Sequence, residues 1–305
     1  MPKYIAVDLG GTQARAALTD ENGAILAVKK TRSQPERGPE VLLDTLTALI
    51  ESLPDWQEAE AVGMGLPGVL DGEEATVTLA GNLPLLVGYP VRDELAKRLG
   101  KPVWLANDAN VAALAEALRG AGQGKKSVYY VTISTGVGGG YVYDGLPVNG
   151  AMGYAGEIGN MLVRPPVPTD LPQNPSCLEP LVSGTGLTRQ ARELFGDEIE
   201  HAGDFFAKVE AKEPRALQLR DEMAENLAMG LSQIAHIVNP DVIVLGGGVM
   251  QSAEYFWEPL LENFSRFVYP GMKQTEIVQA ELADPGIVGA AMLALAHTEK
   301  ELEEK

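Results

Sequence analysis

The chain has 305 residues, 45% of them apolar and 22% charged, which is ordinary for a globular protein that buries a large core. Its formal net charge of −18 argues against nucleic-acid binding, because contacts with phosphates need clustered Lys and Arg. The sequence contains no signal-peptide pattern and no apolar run of membrane-spanning length, and its one cysteine, Cys177, excludes an internal disulfide, so a reduced, cytoplasmic protein without a membrane partner is predicted.

Strand patterns and helical periodicities alternate along the first half of the chain, which indicates an α/β protein. A strand, a glycine turn, a strand, a tight turn and a third strand come first. The predicted strands are Tyr4–Asp8, Ala14–Leu18, Ala24–Lys30 and Ala61–Leu66, and the predicted helices are Val41–Leu53, Val91–Leu99 and Val111–Leu118.

The opening pattern returns in the second half. Val128–Ile133 is apolar and β-rich, Ser134–Gly140 is a glycine turn, and Tyr141–Tyr143 resumes the strand. Two halves with the same beginning predict a duplicated structural unit, with a smaller lobe at 1–119 and a larger lobe at 120–287. The final helix, at about 288–305, is expected to fold back onto the first lobe. The other elements predicted in this half are helices at Gly184–Leu194, Asp204–Lys212 and Pro214–Val238, a buried strand at Asp241–Leu245, and a helix after Gly248 that carries Phe256, Leu260, Leu261, Phe264 and Phe267 on one side.

The stretch Val103–Asn110 places two polar side chains where a predicted strand passes into a helix. In open α/β sheets, ligands bind at the carboxyl ends of the strands, so Asp108 is placed to accept a proton from a substrate that Asn107 helps to hold. The alternative is that Asp108 caps the helix, since Asp is a preferred N-cap residue. The stretch alone leaves both interpretations open.

Three glycine-rich turns follow predicted strands, at Asp8–Thr12, Ser134–Gly140 and Gly246–Gly248. Such turns let backbone N–H groups approach a phosphate without a Cβ in the way, although each alone could be a tight hairpin or a close backbone crossing. None fits the P-loop or the dinucleotide-binding pattern. Three together, two of them in matching positions of a repeat, predict a nucleotide in a central cleft between two lobes.

With these turns in view, the chain resembles the ROK family of sugar kinases and sugar-responsive repressors over essentially its whole length. The resemblance implies the two-lobed actin/hexokinase-like (ribonuclease H-like) ATPase fold. The matching motifs are DLGGT at Asp8–Thr12, LPG at Leu66–Gly68, GN at Gly81–Asn82, LANDANVAALAE at Leu105–Glu116, STGVGGG at Ser134–Gly140, GEIGN at Gly156–Asn160, CLE at Cys177–Glu179 and LGGGV at Leu245–Val249.

The resemblance also implies an activity, the ATP-dependent phosphorylation of a hexose at its 6-hydroxyl, as in glucokinases. Asp108 would be the general base, and Asp8 would orient Mg²⁺ through water. Without the motif context, Glu157 and Glu179 would be interpreted as surface or helix-capping carboxylates. The implied ATP-binding residues are Asp8, Gly10, Gly11, Thr12, Thr135, Gly136, Gly138, Gly246 and Gly247. The implied sugar-binding residues are Gly68, Asn82, Asn107, Asp108, Glu157, Asn160 and Glu179.

The chain departs from the family at its zinc site. Most members carry a histidine at the position of Asn160 and a CxCGxxGC cluster, which together bind zinc beside the sugar. Here Cys177 is the one cysteine of that cluster, and Asp170 and Pro172 stand in place of the others. We therefore expect no zinc. We expect the proline-rich segment at 164–175 to fix Glu179 instead, by restricting the backbone. The three histidines are interpreted as surface or packing residues: His201, His236 and His297.

The missing histidine leaves the identity of the sugar open. An N-acetylhexosamine, such as N-acetylmannosamine or N-acetylglucosamine, is an alternative substrate to glucose. A sugar-sensing repressor is a second alternative, but repressors of this family carry a winged-helix domain ahead of the first glycine turn, and Asp8 leaves no room for one. A non-catalytic sugar-binding protein is a third alternative. The resemblance further implies self-association, as a homodimer.

Overall fold

The computed structural model describes residues 1–71, 76–81 and 83–303, and it describes side chains as far as residue 298. Contacts divide the chain into two compact units. Unit 1 comprises residues 1–126, 140–155 and 281–305, and unit 2 comprises residues 127–139 and 156–280. Within the described ranges, no helix is both long enough and apolar enough to cross a membrane.

Both units combine β-strands with α-helices, as the alternating sequence pattern predicts. The strands are β1 Lys3–Leu9, β2 Gln13–Asp20, β3 Ile25–Arg32, β4 Ala61–Leu66, β5 Val69–Leu70, β6 Val77–Leu79, β7 Val103–Asn107, β8 Ser127–Ile133, β9 Val137–Tyr143, β10 Leu146–Pro147, β11 Val242–Gly246 and β12 Glu276–Gln279. The helices are α1 Pro39–Glu51, α2 Val91–Leu99, α3 Asp108–Arg119, α4 Leu178–Val182, α5 Gly184–Phe195, α6 Ala202–Glu210, α7 Pro214–Val238, α8 Trp257–Phe267 and α9 Pro285–Glu303.

The two five-stranded sheets repeat one topology. Their strand orders are β3-β2-β1-β4-β7 and β10-β9-β8-β11-β12. In the first sheet, β1 pairs antiparallel with β2 and parallel with β4, which in turn pairs parallel with β7. In the second sheet, β11 pairs parallel with β8 and β12. The repeat confirms the duplicated strand-turn-strand unit that the glycine turns predicted, and it brings the carboxyl ends of the parallel strands to one edge of each sheet.

Unit 1 is closed by the last helix of the chain. Helix α9 packs against α3, β1 and β4. A Cβ at Gly63 would lie 1.9 Å from the carbonyl oxygen of Ala290, and a Cβ at Gly289 would lie 1.8 Å from the carbonyl oxygen of Val111. Only glycine permits backbones to approach this closely, so these two positions let α9 seat directly on the sheet and on α3.

The division of the chain differs from the predicted boundary near residue 119. Unit 1 extends to Lys126 and also includes residues 140–155. A Cβ at Gly140 would lie 2.7 Å from the Cβ of Ala113 and 2.8 Å from Asn110 Oδ1, which shows how tightly the second half of β9 packs on α3. Composition indicates a boundary only at the glycine-rich stretch 120–124, because a packing contact between distant residues does not change the local composition.

The second glycine turn is shorter than the sequence predicted. The bend covers Ser134–Gly136, and β9 begins at Val137, so Gly138 and the two glycines that follow it are strand residues. A Cβ at Gly139 would lie 2.8 Å from the carbonyl oxygen of Gly156. The predicted strand start at residue 141 is therefore wrong, because these glycines serve close backbone packing and not a turn.

Candidate active site

The Asn-Asp pair lies at the end of β7, as the sequence predicted. Asn107 is the N-cap of α3: its Oδ1 accepts the Ala109 N–H at 2.8 Å, and its Nδ2 donates to the Gly68 carbonyl oxygen at 2.7 Å. The N-cap position that the sequence also allowed for Asp108 is therefore wrong, although Asp108 Oδ1 also accepts the Ala109 N–H at 2.8 Å. Asp108 is the first residue of α3 and its side chain is exposed.

The cap restricts what Asn107 can offer a ligand. An amide has two N–H donors and two acceptor lone pairs, and the bonds to Gly68 and to the helix use one of each. Gly68 itself has φ +122, and a Cβ there would lie 2.3 Å from the carbonyl oxygen of Leu79, so this position requires glycine. The predicted sugar residue Asn82 lies outside the described residues.

In unit 1, the first glycine turn joins β1 to β2. The Gly10 N–H donates to the Gln13 carbonyl oxygen at 2.8 Å, and Gly11 and Thr12 form the bend between them. Thr12 is exposed, and its carbonyl oxygen accepts the Ser33 N–H at 3.1 Å. The bend thus leaves Thr12 exposed beside two glycines, which are residue types that phosphate-binding turns use.

Asp8 is held by a cation that the sequence analysis missed. Arg15 donates from Nε and Nη2 to Asp8 Oδ2, at 3.1 and 2.7 Å. The same guanidinium group donates to both carboxylate oxygens of Asp284, at 2.7 and 2.8 Å. A Cβ at Gly286 would lie 3.3 Å from Asp8 Cγ, so the start of α9 also borders this carboxylate. The hairpin register, in which residues 8 and 15 face each other, could have revealed Arg15, whereas nothing local points to Asp284.

In unit 2, the second glycine turn is tied to Glu179. Its Oε2 accepts the Val137 N–H at 2.8 Å, and a Cβ at Gly136 would lie 2.6 Å from the same oxygen. Although much of the Glu157 side chain is exposed, partial desolvation and then the negative charge of Glu179 raise the pKa of Glu157 above its ordinary value. The two predicted sugar-binding glutamates are therefore close enough to influence each other electrostatically.

Asn160, the position at which the family resemblance implies a zinc-binding histidine, is held by neighbouring side chains. Its Oδ1 accepts from Gln173 Nε2 at 2.9 Å, and its carbonyl oxygen accepts from the Cys177 thiol at 3.2 Å. Burial raises the pKa of that thiol, which disfavours the thiolate that zinc needs. Within the described part of the chain, no three His, Cys, Asp or Glu side chains are grouped as metal ligands. These residues do not fit a tetrahedral zinc site.

The proline-rich segment is anchored by backbone hydrogen bonds. Leu162 and Cys177 form an antiparallel bridge, and the Leu178 N–H donates to the Met161 carbonyl oxygen at 2.9 Å. These bonds fix the chain immediately before Glu179, which lies in the first turn of α4. The position of α4 is therefore fixed by backbone pairing of Cys177 and Leu178 with the Met161–Val163 stretch, in addition to any stiffness that the prolines supply.

The third glycine turn ends β11. A Cβ at Gly246 would lie 2.4 Å from Tyr130 Oη, and a Cβ at Gly247 would lie 2.4 Å from the Ile133 carbonyl oxygen. Gly247 also has φ +93, a conformation that other residues rarely adopt. Gly246 thus leaves room for the Tyr130 side chain of the neighbouring strand β8, and Gly247 leaves room for the backbone at the end of β8.

Next to this turn, unit 2 contains a cavity of about 490 Å³. Its walls are Ser134 and Thr135, the starts of α5 and α6, and the segment that follows Gly247. Of the predicted nucleotide residues, Thr135 lines it directly. His201, a surface residue as the sequence predicts, also lines the cavity.

Sequence comparison agrees with these motifs. The family model described as ROK family matches residues 4–297. The glucokinase of Thermotoga maritima is 34% identical over 306 residues, which cover 95% of this chain and 96% of that protein. The N-acetyl-D-glucosamine kinase of Vibrio parahaemolyticus is 30% identical over 302 residues, which cover 95% of this chain and 99% of that protein.

Two crystal structures share the architecture. The ROK hexokinase from Thermus thermophilus has a TM-score of 0.88 at 34% identity, covering 98% of this chain and 99% of that one. The ROK family glucokinase from Streptomyces griseus, solved in complex with glucose and AMPPNP, has a TM-score of 0.76 at 30% identity, covering 96% of this chain and 99% of that one. These likenesses confirm the actin/hexokinase-like fold that the motifs implied.

Proposed function

The chain belongs to the ROK family and is a sugar kinase, and we propose that it transfers the γ-phosphoryl group of ATP to the 6-hydroxyl of a hexose with Asp108 as the general base. The observation that carries this proposal is the exposed Asp108 carboxylate at the end of β7, in the first turn of α3. Because Asp108 lies in the first turn of α3 and not at its N-cap, its exposed carboxylate would accept the proton of a hydroxyl whose oxygen attacks the γ-phosphorus.

The sugar would be oriented by amides and carboxylates. Glu179 uses one carboxylate oxygen on the Val137 N–H, which fixes the orientation of the group that would accept a sugar hydroxyl. Glu157 would accept a second hydroxyl, and Asn160, whose Oδ1 is taken by Gln173, would donate from its NH₂. Such convergent polar groups are what selectivity between sugars requires.

The donor would be ATP with Mg²⁺. A cavity of about 490 Å³ is in the size range of small-molecule sites, and Thr135 and the neighbouring glycine turn border it. Asp8 would hold Mg²⁺ through water: its Oδ2 binds Arg15, its side chain is 30% exposed, and a single carboxylate with waters and phosphates suits this cation. When bound, Mg²⁺ would neutralise charge on the phosphates.

The test is coupled ADP release with Mg-ATP across hexoses and N-acetylhexosamines. We expect Asp108→Asn to lower kcat by about 10²–10⁴-fold with little change in calorimetric sugar affinity, because general-base catalysis contributes about that much. Asp93, an acidic first-turn residue of α2, supplies the matched control, and Asp93→Asn should retain full turnover. Sugar binding without turnover in the parent protein would refute the kinase proposal and favour a sensor.

The same panel decides between substrate classes. An N-acetylhexosamine is the second candidate, because the Asn160 NH₂ can donate a hydrogen bond and a relative 30% identical to this chain is an N-acetyl-D-glucosamine kinase. A kcat/KM for an N-acetylhexosamine tenfold or more above that for glucose would select this alternative. A tenfold preference for glucose would exclude it.

A further inference from the structure

One wall of the cavity in unit 2 carries aromatic side chains that have no role in the function proposed above. His201 precedes α6 and lines the cavity together with Gly203 and Phe206, while Gly248 lines it after β11. The Phe206 side chain is almost fully buried, whereas the His201 side chain is 72% exposed. The imidazole is therefore the aromatic surface that a ligand in this cavity can reach.

The orientation of the ring is fixed by the start of α6. His201 is the N-cap, and its Nδ1 accepts the Asp204 N–H at 3.3 Å. The Asp204 carboxylate accepts the backbone N–H groups of His201 and Glu200, at 2.9 and 2.8 Å. A Cβ at Gly203 would lie 3.1 Å from both Cε1 and Nδ1 of the imidazole, so the glycine makes room for a ring folded back over the helix.

Helix capping alone does not explain a histidine here. Ser, Thr, Asp and Asn are the preferred N-cap residues, and each would make the same bond with a smaller side chain. What histidine adds is a flat aromatic surface held in one orientation at a cavity wall.

We propose that His201 is the stacking platform for the nucleobase of the phosphoryl donor. The proposal rests on the proposed kinase function and deepens it by assigning the base-binding residue. A base lying on the imidazole would occupy a cavity that is also lined by Gly248, which has no side chain, and the cavity would accommodate the ribose. Recognition by stacking suits any nucleoside di- or triphosphate and gives no affinity for a donor that lacks a base.

Two substitutions separate the ring from the cap. His201→Asn keeps an N-cap acceptor and removes the ring, whereas His201→Phe keeps a ring and removes the acceptor. We expect His201→Asn to leave the melting temperature unchanged and to weaken ADP binding about tenfold, the scale of one lost base–aromatic stack. We expect His201→Phe to lower the melting temperature but to keep the Kd for ADP within about threefold of the parent value.

Calorimetric titration with ADP and with pyrophosphate provides the test, because neither probe requires turnover. Pyrophosphate, which lacks a base, should bind the parent and His201→Asn equally. His236→Asn, a histidine substitution elsewhere in unit 2, should bind ADP normally. Unchanged ADP affinity in His201→Asn, or an equal loss for ADP and pyrophosphate, would overturn the proposal. Absent sugar phosphorylation together with a His201-dependent ADP affinity would refute the kinase function and leave this assignment standing.

Discussion

Replacing Arg15 by Gln should destabilise unit 1, because the guanidinium group is the counter-charge for two carboxylates. Arg15 makes four hydrogen bonds of 2.7–3.1 Å to Asp8 and Asp284. The three side chains are 28–31% exposed. Through Arg15, the contact connects Asp8 of β1 with Asp284, the residue before α9. It therefore links segments near the two ends of the chain.

The size of the expected stability loss follows from the exposed fraction of the three side chains. A hydrogen bond to a charged group contributes about 1.5–3 kcal/mol, whereas an exposed ion pair contributes about 0–1 kcal/mol. Because these side chains are mostly but not fully buried, we expect Arg15→Gln to lower the free energy of unfolding of unit 1 by about 2 kcal/mol. Arg15→Lys should lose about half as much, because an ammonium group cannot bond to both carboxylates through a planar fork.

Urea denaturation of Arg15→Gln, Asp284→Asn and the double variant measures the effect. In a Trp257→Phe background, tryptophan fluorescence reports unit 1 alone, since Trp56 and Trp104 both belong to it. The double-mutant cycle should give a coupling energy of about 1 kcal/mol or more.

The matched control is Arg98→Gln, because the carboxylate partners of Arg98 are 66% and 77% exposed. This substitution should cost less than about 1 kcal/mol. Strictly additive losses from Arg15→Gln and Asp284→Asn would refute the ion-pair argument.

Three further outcomes are expected. Gly136→Ala places a Cβ 2.6 Å from Glu179 Oε2, so KM for the sugar should rise about tenfold in steady-state assays; an unchanged KM would separate that glutamate from the sugar. Because the pKa of Glu157 is raised, its carboxylate is lost at a higher pH than in an ordinary glutamate, and sugar affinity should fall on acidification while still above pH ~4.5; Glu157→Gln should remove this dependence. The same shift means that the contribution of Glu157 to stability decreases as pH rises from the ordinary to the raised pKa. Gly289→Ala, with a Cβ 1.8 Å from the Val111 carbonyl oxygen, should lower unfolding stability by about 3 kcal/mol or more, and a neutral thermal melt would contradict the close packing of α9.

Local patterns in the sequence determined much of this protein. Strand and helix periodicities, together with the turn chemistry of glycine, located the elements and showed that the second half repeats the first. They also placed Asp108 where a strand passes into a helix, because that junction is encoded by neighbouring residues. The Asp8–Arg15 pair was within reach of the same logic, since it follows from the register of one hairpin.

Packing between distant segments could only be seen in the tertiary structure. It brought Asp284 to Arg15 across 269 residues, and it assigned Gly140 to close packing on α3 although its neighbours in sequence suggested a turn. It also placed His201, which looks like an isolated surface residue in the sequence, in the wall of a cavity. The physical reason is common to all three: side-chain periodicity reports which face of an element is buried, whereas the partner on that face depends on how the whole chain folds back on itself.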